Sequence, residues 1–155
     1  MRPDKTETGL DSDAATTVKH RQFIEQSIYR WRFLLAEART RLHAQDWTTA
    51  VDAYKDAHGV AEFLVHIADC KNCAVKNYVR TLIEYGYSLC KNNQAAVFNG
   101  LIEIARQTLA HYTTPKLSQQ LLHPILALEN AGQLQRDLWI NQLFAGDAVQ
   151  QGHVH

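Results

Sequence analysis

The residues of this sequence that are best suited to chemistry lie in one short stretch, VHIADCKNCAVKNY, at positions 65–78. Cys70 and Cys73 have CxxC spacing, and His66 precedes Cys70 by four residues. On a continuous helix these three side chains fall on one stripe, with Glu62 a turn further back. An imidazole and two thiolates are a suitable ligand set for zinc. The sequence therefore predicts a candidate metal site at His66, Cys70 and Cys73.

The same two cysteines have two other interpretations. A thiol switch needs a cysteine of low pKa, usually at a helix N-terminus. The apolar pattern instead places this CxxC at the end of a helix and the start of a turn, where the helix dipole opposes a thiolate. The third interpretation is a plain turn whose cysteines pack between helices as small apolar residues. A single CxxC without a second ligand pair favours the turn over zinc binding and redox chemistry.

Composition is that of an ordinary globular domain. The chain has 155 residues and zero formal net charge, which predicts one domain and argues against a general nucleic-acid binder. We find no apolar run that could span a membrane and no secretory signal, so a cytoplasmic location is expected. The three cysteines fit a reducing compartment better than a disulfide framework. No catalytic motif occurs, and we expect no enzymatic activity.

Apolar residues recur at three- and four-residue steps through most of the chain, which predicts an all-α fold of six to seven helices. We expect flexible tails at 1–16 and 146–155 around a helical domain at 17–145. The predicted helices cover about 18–44, 47–68, 75–90, 95–112, a segment from Pro115 capped by Thr114, and about 134–144. Gly59 could break the second helix, and Pro124 should kink or shorten the fifth.

The first helix pair carries the residues of a helical repeat. Ala38 lies before the turn QDW, and Ala50, Tyr54 and Ala57 follow it with the spacing Ala-x3-Tyr-x2-Ala. Small residues let paired helices approach closely, and the aromatic fills the space that they leave. Here the chain resembles the tetratricopeptide repeat (TPR) superfamily. That resemblance implies a short α-solenoid of about three antiparallel helix pairs.

The later units match the TPR pattern less well. Gly86 and Ala105 fall in register, but Phe98 replaces the small residue of the second unit, and Asp137 stands where the third unit should have Ala. The spacing between units is also longer than the roughly 34 residues of a regular TPR. The layout, with a CxxC between the first two units, further resembles a small family of uncharacterised bacterial TPR-like proteins. That resemblance implies no particular activity.

The TPR resemblance implies a concave face formed by the first helix of each pair, where peptides or partner helices lie. In the first unit the implied partner-binding residues are Arg32, Leu35, Arg39, Leu42 and His43. In the second unit they are Arg80, Ile83, Tyr87, Cys90 and Lys91, and in the third Gln119, Leu122, Leu126 and Glu129. The cations predict a basic floor that suits an acidic or C-terminal peptide or an amphipathic helix. The alternative is a solvated face with ordinary ion pairs.

These patterns predict a non-catalytic protein–protein interaction adaptor or a chaperone-like module, since TPR-type secretion chaperones are similar in size and layout. Two alternatives remain open. One is a metal-binding or thiol-redox-responsive protein centred on His66, Cys70 and Cys73, with zinc as the metal. The other is a homodimeric scaffold in which self-association covers the open end of the array. We expect neither a nucleic-acid nor a membrane partner.

Overall fold

The computed structural model of the protein describes the backbone of residues 5–154 and the side chains of residues 13–148. Within this range the chain forms six helices and no strand. The helices are α1 (Lys5–His43), α2 (Trp47–Ile67), α3 (Lys71–Lys91), α4 (Ala95–Tyr112), α5 (Pro115–Asn130) and α6 (Gln133–Val154). The predicted all-α class is confirmed. None of these helices combines the length and the apolar character that crossing a membrane requires.

α3 is the helix around which the others pack. It contacts α2, α4, α5 and α6, and every residue from 84 to 90 is buried. Trp31 of α1 also reaches it, donating from Nε1 to Thr81 Oγ1 at 3.0 Å. The largest fully buried side chains include Tyr54, Tyr78, Leu82, Phe98, Ile102 and Ile125. The apolar stripes of the surrounding helices therefore face α3, which forms the centre of the core.

α3 and α4 approach each other closely at Gly86. The fully buried ring of Phe98 occupies the space that a side chain at position 86 would need. This pair explains why a phenylalanine stands where the repeat pattern has a small residue. The small residue is instead Gly86 on the facing helix, and the space that it leaves is filled by the ring of Phe98.

Both predicted tails are helical over their described parts. α1 begins at Lys5, and because residues 13–22 are exposed, this part of the helix buries no face. Once a helix is nucleated, each further residue adds a backbone hydrogen bond, so the helix can extend past its apolar stripe. At the other end α6 continues to Val154, and Asp147 forms an ion pair with Arg80. α1 and α6 therefore include residues from both ranges that the sequence assigns to tails.

Two residues that disfavour helices are accommodated without ending one. α2 is continuous through Gly59, and α5 continues through Pro124 to Asn130. Both residues are exposed. A carbonyl that loses its helical partner on the solvent side can bond to water, and an exposed glycine leaves no cavity in the core. Of the two possibilities for α2, the single long helix is found and the break at Gly59 is not, and α5 does not end at Pro124.

Candidate functional site

Glu84 of α3 is a fully buried carboxylate that joins three helices. Its oxygens accept hydrogen bonds from Arg39 Nε and Nη2, both at 2.8 Å, from Arg80 Nε at 2.7 Å and from Tyr54 Oη at 2.9 Å. A buried charge is strongly unfavourable unless it is paired and hydrogen-bonded, and here four donors satisfy it. The hydrogen bond to Glu84 raises the pKa of Arg39, and burial raises that of Tyr54. Both groups therefore keep the protonated form that donates.

The C-terminal part of α6 covers the face on which these arginines lie. The Arg39 and Arg80 guanidinium carbons lie 5.6 and 5.5 Å from the centroid of the Phe144 ring. The imidazole of His43 meets the same ring edge-on, with 4.7 Å between centroids. Asp147 Oδ2 accepts from Arg80 Nη2 at 2.6 Å, and its Oδ1 from Nη1 at 3.2 Å. One aromatic ring and one carboxylate of α6 are thus held by two cations.

The N-terminal part of α6 binds the other end of the same face. Tyr87 Oη donates to Asp137 Oδ1 at 2.7 Å, and Lys91 Nζ lies 3.2 Å from the same oxygen. The Lys91 ammonium also lies 5.3 Å from the Trp47 ring centroid. Partial burial acts to raise the pKa of Asp137, but the bonds from Tyr87 and Lys91 leave it below its usual value. Asp137 is therefore held as the anion.

The contacts of α6 lie along one stripe of the helix. Asp137, Ile140, Phe144 and Asp147 recur at steps of three, four and three residues, which places them on the same side. Ile140 is buried. The stripe is acidic at both ends and apolar between them, whereas the face beneath it has Lys91 at one end and the Arg39/Arg80 pair at the other. We call this face, formed by α1 and α3, the cationic face.

Some of the fourteen predicted partner-binding residues lie on the cationic face, and α6 covers it. Five of them contact α6, namely Arg39, His43, Arg80, Tyr87 and Lys91. Leu35 and Leu42 are buried in the core together with Cys90, and Ile83 is half-buried. Arg32 is exposed, and no carboxylate among the described side chains pairs with it. The side chains that contact α6 thus lie together on one face, and the chain's own helix covers that face in this structure.

Sequence reasoning missed the acidic partners of the cationic face. Glu84 was available from its i,i+4 spacing to Arg80 within the apolar run at 82–90, since a carboxylate surrounded by core residues needs a cation. Asp137 stands out in the sequence only as a departure from the repeat pattern. Asp147 fell in a predicted tail. These three carboxylates pair with Arg39, Arg80 and Lys91.

α6 does not pack tightly along α5. A cavity of 260 Å³ lies between α3, α5 and α6. Its lining includes Ile83, Leu128, Trp139 and Leu143 and is mostly apolar. Arg136 spans the start of this gap, donating from Nε to the Leu128 carbonyl at 2.8 Å. α6 is therefore held mainly by the side-chain contacts of its stripe and by its connection to α5.

The CxxC segment lies at the start of α3. This helix begins at Lys71, four residues before the start that the sequence predicts at Val75. Cys70 is the N-cap of α3, and the Cys73 N–H donates to Cys70 Sγ at 3.3 Å. The two cysteines form a disulfide, whereas the sequence favoured a plain turn in which they pack as small apolar residues. The expectation that a helix dipole opposes a thiolate here is wrong, because a helix N-terminus favours negative charge. The expectation fails because Lys71–Cys73 forms the first turn of α3, so that only Ala68–Cys70 links α2 to α3.

The structure does not assemble the predicted metal ligands. His66 Nδ1 lies within hydrogen-bond distance of Tyr112 Oη on α4, and Cys70 is bonded to Cys73. Lys71 Nζ donates to the His66 carbonyl at 2.8 Å and closes the end of α2. In the part of the chain that the structure describes, no group of three His, Cys, Asp or Glu residues could hold a metal ion. The zinc interpretation gains no geometric support from these residues.

Comparison of the chain with models of protein families, with curated proteins and with solved structures gives no match. Its function is therefore inferred from its own contacts. The two features with the most specific geometry are the cationic face covered by α6 and the disulfide at the start of α3.

Proposed function

We propose that this protein is a non-catalytic, TPR-like interaction module, acting as an adaptor or chaperone-like protein, that binds an acidic amphipathic helix of a partner protein on the cationic face. The observation that carries the proposal is α6 itself. It lies on this face with a carboxylate at each end of its stripe and an aromatic ring between them. A surface that accepts one such helix has the chemistry to accept another.

The cationic face sets the pattern that a partner helix must carry. Asp137 and Asp147 are ten residues apart, about 15 Å along a helix. Between them the partner needs an aliphatic residue and an aromatic residue in the places of Ile140 and Phe144. Glu84 neutralises only part of the charge of its two arginines, so the face retains a net positive charge that favours acidic partners.

Helix contacts support the TPR-like part of the proposal. α1 packs on α2 and α3 packs on α4, as expected for helix pairs, and α3 contacts α5, the first helix of the next pair. α6 departs from this pattern because it lies on the first helices α1 and α3 and leaves a cavity beside α5. A helix in this position occupies the place where TPR arrays commonly hold a ligand.

Binding of a partner requires that α6 leave the cationic face. Its ion pairs are partly exposed, with 37% of the Asp147 side chain and 34% of the Asp137 side chain accessible. Exposed pairs of this kind contribute about 0–1 kcal/mol each, so displacing them has a modest free-energy cost. A tethered helix nevertheless has an effective concentration of about millimolar, which a partner must overcome. α6 therefore acts as a competitor that sets the affinity threshold for partners.

A peptide with the sequence of residues 133–148 tests the proposal directly. We would label it with a fluorophore and measure anisotropy against the full chain and against the double variant Phe144→Ala, Asp147→Asn. The double variant is expected to bind the peptide more tightly than the wild type, because its own α6 competes less. The matched control is a peptide with the same two substitutions.

The outcomes separate cleanly. Saturable binding of the wild-type peptide, with loss of affinity for the substituted peptide, supports the proposal. If neither protein binds the peptide, or if both peptides bind equally, the cationic face does not select an acidic-aromatic helix and the proposal fails.

A further inference from the structure

The Cys70–Cys73 disulfide lies at the protein surface beside an apolar cavity. Both cysteines are exposed, and both line a cavity of 220 Å³ at the junction of α1, α2 and α3. Much of the remaining lining is aliphatic, including Ile24, Ile28, Ala61, Leu64, Ala68 and Ala74. On the same turns of α1 and α2, Phe23 and Phe63 form an exposed edge-to-face pair. The disulfide therefore adjoins a surface that can hold an apolar side chain.

A purely structural purpose does not account for this disulfide. It joins residues three apart, both at the start of one helix, so it closes a very short loop and ties no distant elements together. The entropy that a disulfide removes from the unfolded chain grows with the length of the loop that it closes. The stabilisation expected from this bond is correspondingly small.

We propose that Cys70 and Cys73 form a thiol–disulfide exchange site for protein dithiols that carry an apolar side chain next to a cysteine. The geometry favours Cys70 as the sulfur that bears negative charge. Its Sγ already accepts a hydrogen bond from the Cys73 N–H at the N-terminus of α3, where a thiolate is stabilised. Asp69, which also lines the cavity, opposes this effect, and the Lys71 ammonium is directed to α2 carbonyls instead.

The exchange proceeds in two balanced steps. A substrate thiolate attacks Cys73 Sγ, the Cys70–Cys73 bond breaks, and Cys70 leaves as the thiolate. The second thiolate of the substrate then attacks the substrate sulfur that is bonded to Cys73 in the mixed disulfide, and Cys73 leaves as the thiolate. The substrate dithiol is oxidised to a disulfide, and the two cysteines of this chain take up its two electrons and, at equilibrium, its two protons.

The α2–α3 junction is built to persist when the disulfide opens. Lys71 Nζ donates to the carbonyls of Val65 and His66, both at 2.8 Å, and lies 5.0 Å from the Tyr112 ring centroid. The Ala68 N–H closes α2 by bonding to the carbonyl of Leu64 at 2.8 Å. None of these contacts uses a cysteine side chain, so we expect reduction to leave the helices in place.

Equilibration in mixed reduced and oxidised glutathione tests the redox part of the proposal. After acid quench and alkylation, peptide mass mapping gives the reduced fraction of each cysteine in the full chain. We expect Cys70 and Cys73 to titrate together within the range of glutathione buffers, with Cys90 as an internal reference because burial raises its thiol pKa. In single variants, Cys70 of Cys73→Ser should alkylate faster than Cys73 of Cys70→Ser. A pair that stays fully oxidised, or the reverse order of alkylation, overturns the proposal.

A synthetic dithiol peptide tests the substrate class. We would compare a peptide with leucine next to a cysteine, the same peptide with asparagine there, and glutathione, using wild type and Ile28→Asn. Filling the cavity with an aliphatic side chain should make the wild type about tenfold faster with the leucine peptide than with the asparagine peptide. Ile28→Asn should abolish that difference, whereas Val97→Asn, at an exposed position of α4, should leave both the difference and the glutathione rate unchanged. Equal rates for the two peptides in the wild type would refute recognition by the cavity.

This inference is independent of the proposed function, because the disulfide and the cationic face share no residue.

Discussion

Arg39 of α1 and Glu84 of α3 form a two-point ion pair, with Nε–Oε1 and Nη2–Oε2 distances of 2.8 Å each. The pair links residues 45 positions apart in the sequence. Parallel hydrogen bonds of this kind fix the orientation of the guanidinium as well as its position. Glu84 thereby sets the plane in which Arg39 faces Phe144 and, through the same carboxylate, holds Arg80 beside it. The buried carboxylate beneath the cationic face is therefore what shapes it.

Replacement of Glu84 by glutamine should destabilise the protein by about 3 kcal/mol, the lower end of the range for breaking a buried pair, since both arginines keep some access to water. The amide cannot accept from two guanidiniums and Tyr54 Oη together. It also leaves Arg39 without a paired carboxylate, while Arg80 keeps Asp147. Urea unfolding followed by circular dichroism measures the change.

The matched control for Glu84 is Glu103→Gln on α4. Glu103 pairs with Arg106 at 3.7 Å, and 68% of its side chain is exposed. We expect a change within about 0.5 kcal/mol there. If the two glutamines cost the same, the Glu84 network does not contribute to stability as its geometry implies.

Phe144→Ala should loosen α6 and leave the core intact. The ring is the common contact of Arg39, Arg80 and His43, and its cation–π contacts are each worth about 0.5–2 kcal/mol. Hydrogen–deuterium exchange should accelerate in residues 133–148, while α3 keeps its protection.

Phe33→Ala provides the comparison for Phe144, because 62% of Phe33 is exposed on α1. Its exchange pattern should match that of the wild type. Uniformly faster exchange of all helices in Phe144→Ala would contradict a local role for this ring, and unchanged exchange of α6 would show that Phe144 does not hold it.

Elements that depend on local signals could be predicted from the sequence. The start of α5 is one, since the Thr114 side chain accepts from the Leu117 N–H and Pro115 occupies the first turn as expected. α4 has the predicted bounds, Ala95–Tyr112. Each of these inferences uses residues within one or two turns of each other.

What could not be predicted depends on long-range partners. Nothing local to Asp147 says that it meets Arg80, 67 positions away. The sequence predicts that α3 begins at Val75, but it begins at Lys71, so Cys70 lies at its N-terminus. The difference arises because the segment KNC lacks the apolar pattern that marks a helix but still forms the first turn. That shift reverses the direction of the helix dipole at the sulfur. A small boundary error thus changed a chemical conclusion.

Gly86→Ala should destabilise the protein by about 2 kcal/mol, although alanine favours a helix by up to about 1 kcal/mol over glycine. The new methyl group would overlap the ring of Phe98, which is fully buried and cannot move aside without displacing α4. Thermal and urea unfolding both report the change.

Gly100→Ala on α4 is the opposite case, since nothing lies within 4 Å of the added carbon. It should stabilise the protein by about 0.5–1 kcal/mol. Combining Gly86→Ala with Phe98→Leu should recover part of the loss. A neutral Gly86→Ala would mean that α3 and α4 can separate freely at this point.

His58 should make stability depend on pH between about 4 and 6.5. It is buried on α2, its ring centroid lies 5.4 Å from that of Tyr78, and no described atom bonds to its Nε2. Burial lowers the pKa of His58 from 6.5 to about 4. Between these values the unfolded chain binds a proton that the folded chain does not, so stability is full above pH 6.5 and falls as the pH drops towards 4. The loss approaches about 3 kcal/mol.

Urea unfolding across this window should show the slope in the wild type and in His111→Gln, whose histidine is exposed, but not in His58→Gln. A slope that persists in His58→Gln would contradict this assignment. Asp137 does not produce a slope in this window, because its depressed pKa confines its own effect on stability to lower pH.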